Sequence, residues 1–206
     1  EVFGDKGCIN LGFDIVNHCV NDILVKGAIP LFFLDYFASS VLKPEQLEYF
    51  VKGLSQACQD TKCVLIGGET AEMPDVYLPN QLDLAGTIVG KVDKSKIIDG
   101  KKNIKEGDVI IGLPSSGPHT NGYSLIRKLV KKFPPTNDSI LEELCNPHRC
   151  YLSDYQKLRD NKISIHGMCH LTGGGWYDNT SRVLPSELAM EIRMNSWHQL
   201  PSFEYL

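Results

Sequence analysis

The sequence predicts a globular chain of mixed helices and strands, long enough for one large domain or two small ones, and three observations predict it. Apolar residues recur at helical spacing in some segments and cluster in short β-branched and aromatic runs in others. The two kinds of segment alternate along the chain. A Lys-, Asp- and Gly-rich stretch from Asp93 to Gly107 interrupts the alternation and reads as a boundary, with residues 1–98 on one side and 104–206 on the other. A hydrophobic share of 42% with 22% charged residues is that of an ordinary globular chain.

The elements follow in order. Ile15, Val16, Cys19, Val20, Ile23 and Leu24 repeat at helical spacing, so a helix is expected from Asp14, as cap, to Ala28. Pro30 opens Leu31 to Phe37, an apolar and aromatic run that suits a buried strand. Leu47, Phe50, Val51, Leu54 and Ala57 mark a second helix, Pro44 to Asp60. Cys63 to Ile66 reads as a strand ending in Gly67-Gly68, and Leu82 to Val92 as another. Beyond the boundary a strand is expected at Asp108–Leu113, a polar loop at Ser115–Gly122, and a helix from Tyr123 to Phe133, stopped by Pro134-Pro135. A helix near Tyr151–Arg159, a strand near Ile165–Leu171 and a helix from the Gly173 run to Val183 complete the pattern.

Several classes of function are excluded or disfavoured. The net charge is -4 and no basic block exceeds a Lys pair, so no nucleic-acid partner is expected. The longest apolar run, Leu31–Leu34, is far too short to span a bilayer, and no membrane partner is expected. Seven cysteines, without a C-x-x-C pair, indicate neither a disulfide framework nor a zinc ribbon, and they favour a reducing, cytoplasmic setting. Both ends of the sequence are expected to be cut.

Three polar, Gly-containing segments follow predicted strands. In Gly67-Gly68-Glu69-Thr70-Ala71-Glu72-Met73-Pro74, the glycines permit close approach of a ligand, while Glu69 and Thr70 offer the hard oxygens that Mg²⁺ on a nucleotide takes. The same residues also suit a plain strand-to-turn junction. In Ser115-Ser116-Gly117-Pro118-His119-Thr120-Asn121-Gly122-Tyr123-Ser124, hydroxyls, an imidazole and an amide precede a helix N-terminus, either as an anion site or as an N-cap loop. In His170-Leu171-Thr172-Gly173-Gly174-Gly175, the glycines form a phosphate cradle or a flexible turn. Zinc at His166, Cys169 and His170 is disfavoured, because on a strand His166 and Cys169 point to opposite faces. Asp14, His18 and Asp22 share one helical stripe, for which solvent exposure is a sufficient account.

Taken together with Cys19-Val20-Asn21-Asp22-Ile23, Pro30-Leu31-Phe32-Phe33-Leu34-Asp35-Tyr36 and Asp83-Leu84-Ala85-Gly86, these words resemble the aminoimidazole ribonucleotide (AIR) synthetase family, in order and spacing, from about Leu11 to Leu206. The resemblance implies an α+β N-terminal domain whose strands pair in a homodimer barrel, and an α/β C-terminal domain. It implies ATP-dependent ring closure of formylglycinamidine ribonucleotide to AIR, with ADP and phosphate released. Asp22 and Glu69, with Asp35 secondary, would hold Mg²⁺. His119 would act at the reacting centre, protonated once phosphates are bound. Asn21, Gly67, Gly68, Thr70, Ser115, Ser116, Asn121, His170, Thr172, Gly173, Gly174, Gly175 and Asn179 would contact ATP or substrate. Alternatives are another ATP-dependent member of the superfamily, of the formylglycinamidine ribonucleotide synthetase, selenophosphate synthetase or thiamine-phosphate kinase type, or an inactive truncated paralogue serving as an interaction module. The chain departs from the family in lacking its D-G-x-G-T-K word. It also reads Pro147-His148-Arg149-Cys150-Tyr151 for P-T-R-I-Y and Asp178-Asn179-Thr180-Ser181-Arg182 for E-N-I-P-R.

Overall fold

Helix α1, Gly4–Leu24, crosses helix α2, Pro44–Asp60, over one face of a three-stranded sheet. This computed structural model describes residues 3–206, so the first two residues of the expected N-terminal domain lie outside it. The strands are β1 (Ile29–Ser39), β2 (Val64–Glu72) and β3 (Leu82–Lys91), in the order β2-β1-β3. β1 and β2 are parallel and are joined by α2, the crossover that a parallel pair requires; β3 runs antiparallel to β1. Short helices follow: α3 (Gly100–Asn103), α4 (Tyr123–Lys132), α5 (Asp138–Leu144), α6 (Leu152–Asp160), α7 (Gly175–Ser181) and α8 (Pro201–Tyr205).

The core forms where the apolar stripes meet. Val16, Val20 and Leu24 of α1, Phe50, Leu54, Ala57 and Cys58 of α2, and Phe33 and Phe37 of β1 are all buried together. Leu152 and Tyr155 of α6 and Ile98 of the expected boundary segment join the same cluster. The boundary is thus packed against the core rather than slung outside it, with Ile98 N–H donating to Lys26 O at 3.2 Å.

Four expectations need correction. Helix α1 begins at Gly4, ten residues before Asp14, so Asp14 is an interior residue and not a cap. Gly7 and Gly12 weaken the local helix signal, but at Gly12 the absence of a side chain is required. A Cβ there would collide with Phe50 O and Leu54 N, and one at Gly53 would collide with Ile9 O. The helices therefore cross backbone to backbone. Second, β2 does not end at Gly67-Gly68 but runs on to Glu72, absorbing the glycines in a register shift opposite Phe33 and Leu34, where Gly67 adopts φ 152°. Third and fourth, Asp108–Leu113 and Ile165–Leu171 are not strands. Among the described residues neither has a strand beside it to bond, and Val109 and Ile111 stand 85% and 77% exposed. α5 and α8, which pack on each other, were not anticipated.

The Gly12–Gly53 crossing carries a test. Gly53→Ala must push the helices apart, and overpacking of this kind costs about 1–3 kcal/mol or more, although Ala is the better helix former. Urea unfolding should show that loss; a midpoint at or above that of the parent would mean that the helices are not in contact there.

Candidate active site

Helix α1 has a second, polar face, and it does not look into solvent as expected. Its residues recur at 10, 14, 17, 18, 21 and 22, so they line one side over three turns. Four of the six address the main chain of residues 145–151. Asn10 Nδ2 donates to Cys145 O at 2.9 Å, and Asn17 Nδ2 to His148 O at 2.7 Å. Asp14 Oδ1 accepts from His148 N–H at 2.7 Å. Asn21 donates to Arg149 O at 2.8 Å and accepts from Tyr151 N–H at 3.0 Å. It is buried and braces this segment.

The last turn of that face meets two of the polar loops. His18 Nδ1 lies 2.8 Å from Thr120 Oγ1, Thr120 Oγ1 lies 3.2 Å from His148 Nδ1, and His170 Nδ1 lies 2.8 Å from Asp22 Oδ1. Asp22 Oδ2 is 3.1 Å from His18 Nε2. Burial pushes the Asp22 carboxyl up, but the bonds from His170 and His18 outweigh it and hold the group far below the carboxylate range. His119 sits in the left-handed region at φ 59° and stacks on His148 with centroids 4.1 Å apart. Its Nε2 accepts from Ser116 N–H at 3.3 Å and lies at 3.5 Å from Arg149 N. Burial, then the nearby His170, His18 and Arg149, lower the His119 pKa to about 4. In the free protein it is therefore neutral, and any protonated role depends on bound anions. His148, 1% exposed, is driven down more strongly, again by burial first and by its histidine neighbours second.

Other expected residues support these loops. Ser116 Oγ donates to Pro147 O at 2.7 Å, while Ser115 is only partly covered. Buried Asn179 folds the glycine run, accepting from Thr172 N–H at 3.0 Å and donating to Thr172 Oγ1 at 3.2 Å. Asn121 Oδ1 lies against Gly173, and Gly174 packs on Asp178 and Asn179 ahead of Gly175, where α7 begins.

The carboxylates expected to share a metal are not gathered. Asp22 lies on α1, Asp35 on β1 and Glu69 on β2. Glu69 pairs with Tyr36 and Asp35 with Gly68, so the two acids point to opposite faces of the sheet. Asp35 is tucked against Gly68, where a Cβ would collide with its carboxylate, and burial raises its pKa. Glu69 and Thr70 are exposed. Among the described residues the one metal-type grouping of three or more side chains is His119, His148 and His170. Sequence reasoning missed it because His148 stands 22 residues from His170 and registered only as a departure from a familiar word. A stripe of Asn and Asp on an otherwise apolar helix was the available signal for the docking face.

Residues 8–92 match the family described as AIR synthase related protein, N-terminal domain, and residues 105–206 match its C-terminal domain. The chain belongs to the AIR synthase related family. Phosphoribosylformylglycinamidine cyclo-ligases from Oleidesulfovibrio alaskensis and Bacillus cereus are each 47% identical to it over 95% of its length, and one from Xylella fastidiosa is 45% identical. The chain spans about 58% of the length of such relatives. Among solved structures, a HypE–HypF complex matches 73% of the chain at 20% identity with a TM-score of 0.52. HypE from E. coli, a hydrogenase maturation protein, matches 72% at 19% identity with a TM-score of 0.50. They cover 46% and 43% of those chains, and the likeness is one of fold. No helix among the described residues is long and apolar enough to cross a membrane.

Asp14 offers a test of the docking face. Burial raises its pKa to about 6, against smaller opposing effects of the His148 N–H and of His18. A raised folded-state value means that its stabilising contribution is complete below the ordinary 3.8 and is lost as pH rises through about 6. Asp14→Asn keeps an oxygen for the His148 N–H without the charge. The melting temperature of the variant relative to the parent should therefore rise between about pH 5 and about pH 7.5. A difference independent of pH would place Asp14 in solvent.

Proposed function

We propose that this chain is the larger part of a phosphoribosylformylglycinamidine cyclo-ligase, a cytoplasmic enzyme of purine biosynthesis that closes formylglycinamidine ribonucleotide to AIR with consumption of ATP. The observation that carries the reading is the docking of α1 against the loops at 115–122, 146–151 and 170–175. It draws His119, Ser116, His170 and the glycine run to one place, as a reacting centre with an anionic substrate requires. The two matched halves, read as domains 1–98 and 104–206, each contribute to it.

The amide oxygen is a poor leaving group, so it takes the γ-phosphoryl group first; an amidine nitrogen then attacks the carbon and phosphate departs. Phosphoryl transfer asks for positioning and charge neutralisation more than for a covalent nucleophile. His119, neutral in the free protein, offers a hydrogen bond through Nδ1–H and becomes a stronger donor once phosphates raise its pKa. Ser115, Asn121 and the backbone of Gly173 to Gly175 line the approach. Mg²⁺ bound with nucleotide keeps several waters and asks for one or two protein carboxylates, a demand that exposed Glu69 beside Thr70 fits. Gly67 and Gly68 leave the backbone open next to them. Asp22 keeps a lone pair on each oxygen beyond its bonds to His18 and His170, whereas Asp35 sits under Gly68. When bound, the ion neutralises charge on the transferring phosphates.

Paired variants of the full-length enzyme test these roles. His119→Ala should lower kcat by about 10²- to 10⁴-fold with little change in the KM for ATP, whereas Glu69→Gln should weaken Mg-ATP binding in calorimetry without unfolding the protein. If His119→Ala lowers only thermal stability, the histidine is a structural loop residue. If Glu69→Gln binds Mg-ATP unchanged, the metal is held elsewhere.

We also propose a homodimer. The sheet face away from the helices carries Phe32, Leu34 and Tyr36 of β1, with Phe32 in register with Val64 and Val89 of the flanking strands, and Val64 is 60% exposed. An apolar sheet face of this kind suits a second copy of the same strands. Sedimentation of the full-length protein at micromolar concentration should give a dimer, and a clean monomer would contradict the assignment.

A further inference from the structure

The three loops that meet α1 at the candidate site carry one permanent cation between them. Residues 115–122, 146–151 and 170–175 contain no lysine and a single arginine, Arg149. A phosphate group bound among these loops needs a positive charge that burial does not remove, and a guanidinium keeps its charge where other basic side chains lose theirs. Arg149 is held from three sides. Nη1 donates to Pro114 O at 3.1 Å, Nη2 donates to Asp154 Oδ2 at 3.0 Å, and the guanidinium carbon lies 5.1 Å from the centroid of the Tyr151 ring. His119 leans on the same ring, with centroids 6.2 Å apart. The cation and the histidine thus share one tyrosine. The charge also reaches the histidine: burial, then His170 and His18, then Arg149 lower the His119 pKa.

A guanidinium carries five N–H donors. Pro114 and Asp154 occupy two of them, and among the described residues no further acceptor meets this side chain. The Asp154 carboxylate engages one nitrogen and does not close a two-bond fork. The remaining donors are accessible, for the side chain is 36% exposed. We infer that Arg149 is an oxyanion-binding residue of this site, its free N–H groups holding a phosphate group of the ligand beside His119. Arginine meets such a group with parallel N–H···O bonds. Pinned already by Pro114, Asp154 and Tyr151, it gives up little rotamer freedom in doing so. Two phosphate groups suit the position: the ester of the ribonucleotide and the group in transfer from ATP. Which of them it holds rests on the function proposed above; that Arg149 takes a phosphate does not.

The alternative is an arginine that only anchors the start of the loop at Pro114. Tyr151 Oη shares that anchor, donating to Pro114 O at 3.1 Å, and so supplies the control. Full-length protein is titrated with ribose 5-phosphate, with inorganic phosphate and with ribose, at constant ionic strength. The parent should bind the two phosphates and not ribose. Arg149→Gln should weaken phosphate binding about 10- to 100-fold, the range of hydrogen bonds to a charged group. Arg149→Lys, which keeps the charge without the fork, should fall between, and it serves in place of Arg149→Gln if that variant fails to fold. Tyr151→Phe removes a donor from Pro114 O and leaves the guanidinium and the ring, so it should bind phosphate as the parent does. A parent that binds neither phosphate, equal affinity in Arg149→Gln, or an equal loss in Tyr151→Phe would overturn the inference and leave a loop anchor. In ATP-dependent turnover, a raised KM for the ribonucleotide alone in Arg149→Gln assigns the ester. A lowered kcat with both KM values kept assigns the group in transfer, and unchanged turnover overturns the inference. A parent that binds phosphate through Arg149 without turning over formylglycinamidine ribonucleotide removes the proposed function and leaves the phosphate site standing.

Discussion

The hydrogen bonds between the polar face of α1 and the main chain of residues 145–151 are the constraint on which the rest of the structure depends. The opposite face of the same helix, through Val16, Val20 and Leu24, is the centre of the apolar core. One helix thus fixes the sheet on one side and the polar loops on the other. A net contribution of about 1 kcal/mol per hydrogen bond understates the effect, because an unpaired buried amide or carbonyl costs more than a made bond gains. Losing Asn17 would strand the carbonyl of residue 148, and losing Asn21 would strand the carbonyl of residue 149 and the N–H of residue 151.

Electrostatics at the head of that interface follow from position. Asp14 and Asp22 lie two turns apart on one stripe, yet burial raises the first to about 6 while two imidazoles hold the second far down. The difference lies in donors: Asp14 receives a single backbone N–H, and Asp22 receives a ring nitrogen on each oxygen. His119 and His148 are stacked and poorly hydrated, so each resists a charge that the other would feel. A neutral resting state for these two rings is built into the packing.

Much of the first half of the fold was legible because its signals are local. Pro44 and the spacing of Leu47, Phe50, Leu54 and Ala57 define α2 without tertiary help, and the aromatic run at Leu31–Phe37 can hardly be other than a strand. The start of α1 was illegible because Gly12 is explained only by Gly53, forty-one residues away. The segments at 108–113 and 165–171 have strand-like composition, but a strand exists only with a neighbour to bond. At the site, the three loops were recognisable from their mixtures of polar types. What joins them was not: Asn10, Asp14, Asn17 and Asn21 read as a solvated stripe, since periodicity reveals which residues share a face but not what the face meets.

Helix α1 grips residues 145–151 almost entirely by their N–H and C=O groups. Every residue but proline offers the same two groups, so this clasp is indifferent to side-chain identity. The segment can accept substitutions while its path through the protein stays fixed, and what it presents to the loops around it becomes free to drift. A place in the fold that is held rigid by one partner and left unspecified by it is well suited to acquiring new chemistry: a side chain introduced there arrives already immobilised, at no cost to the docking that positions it. His148, buried among imidazoles and held there by its N–H and C=O groups, occupies such a place.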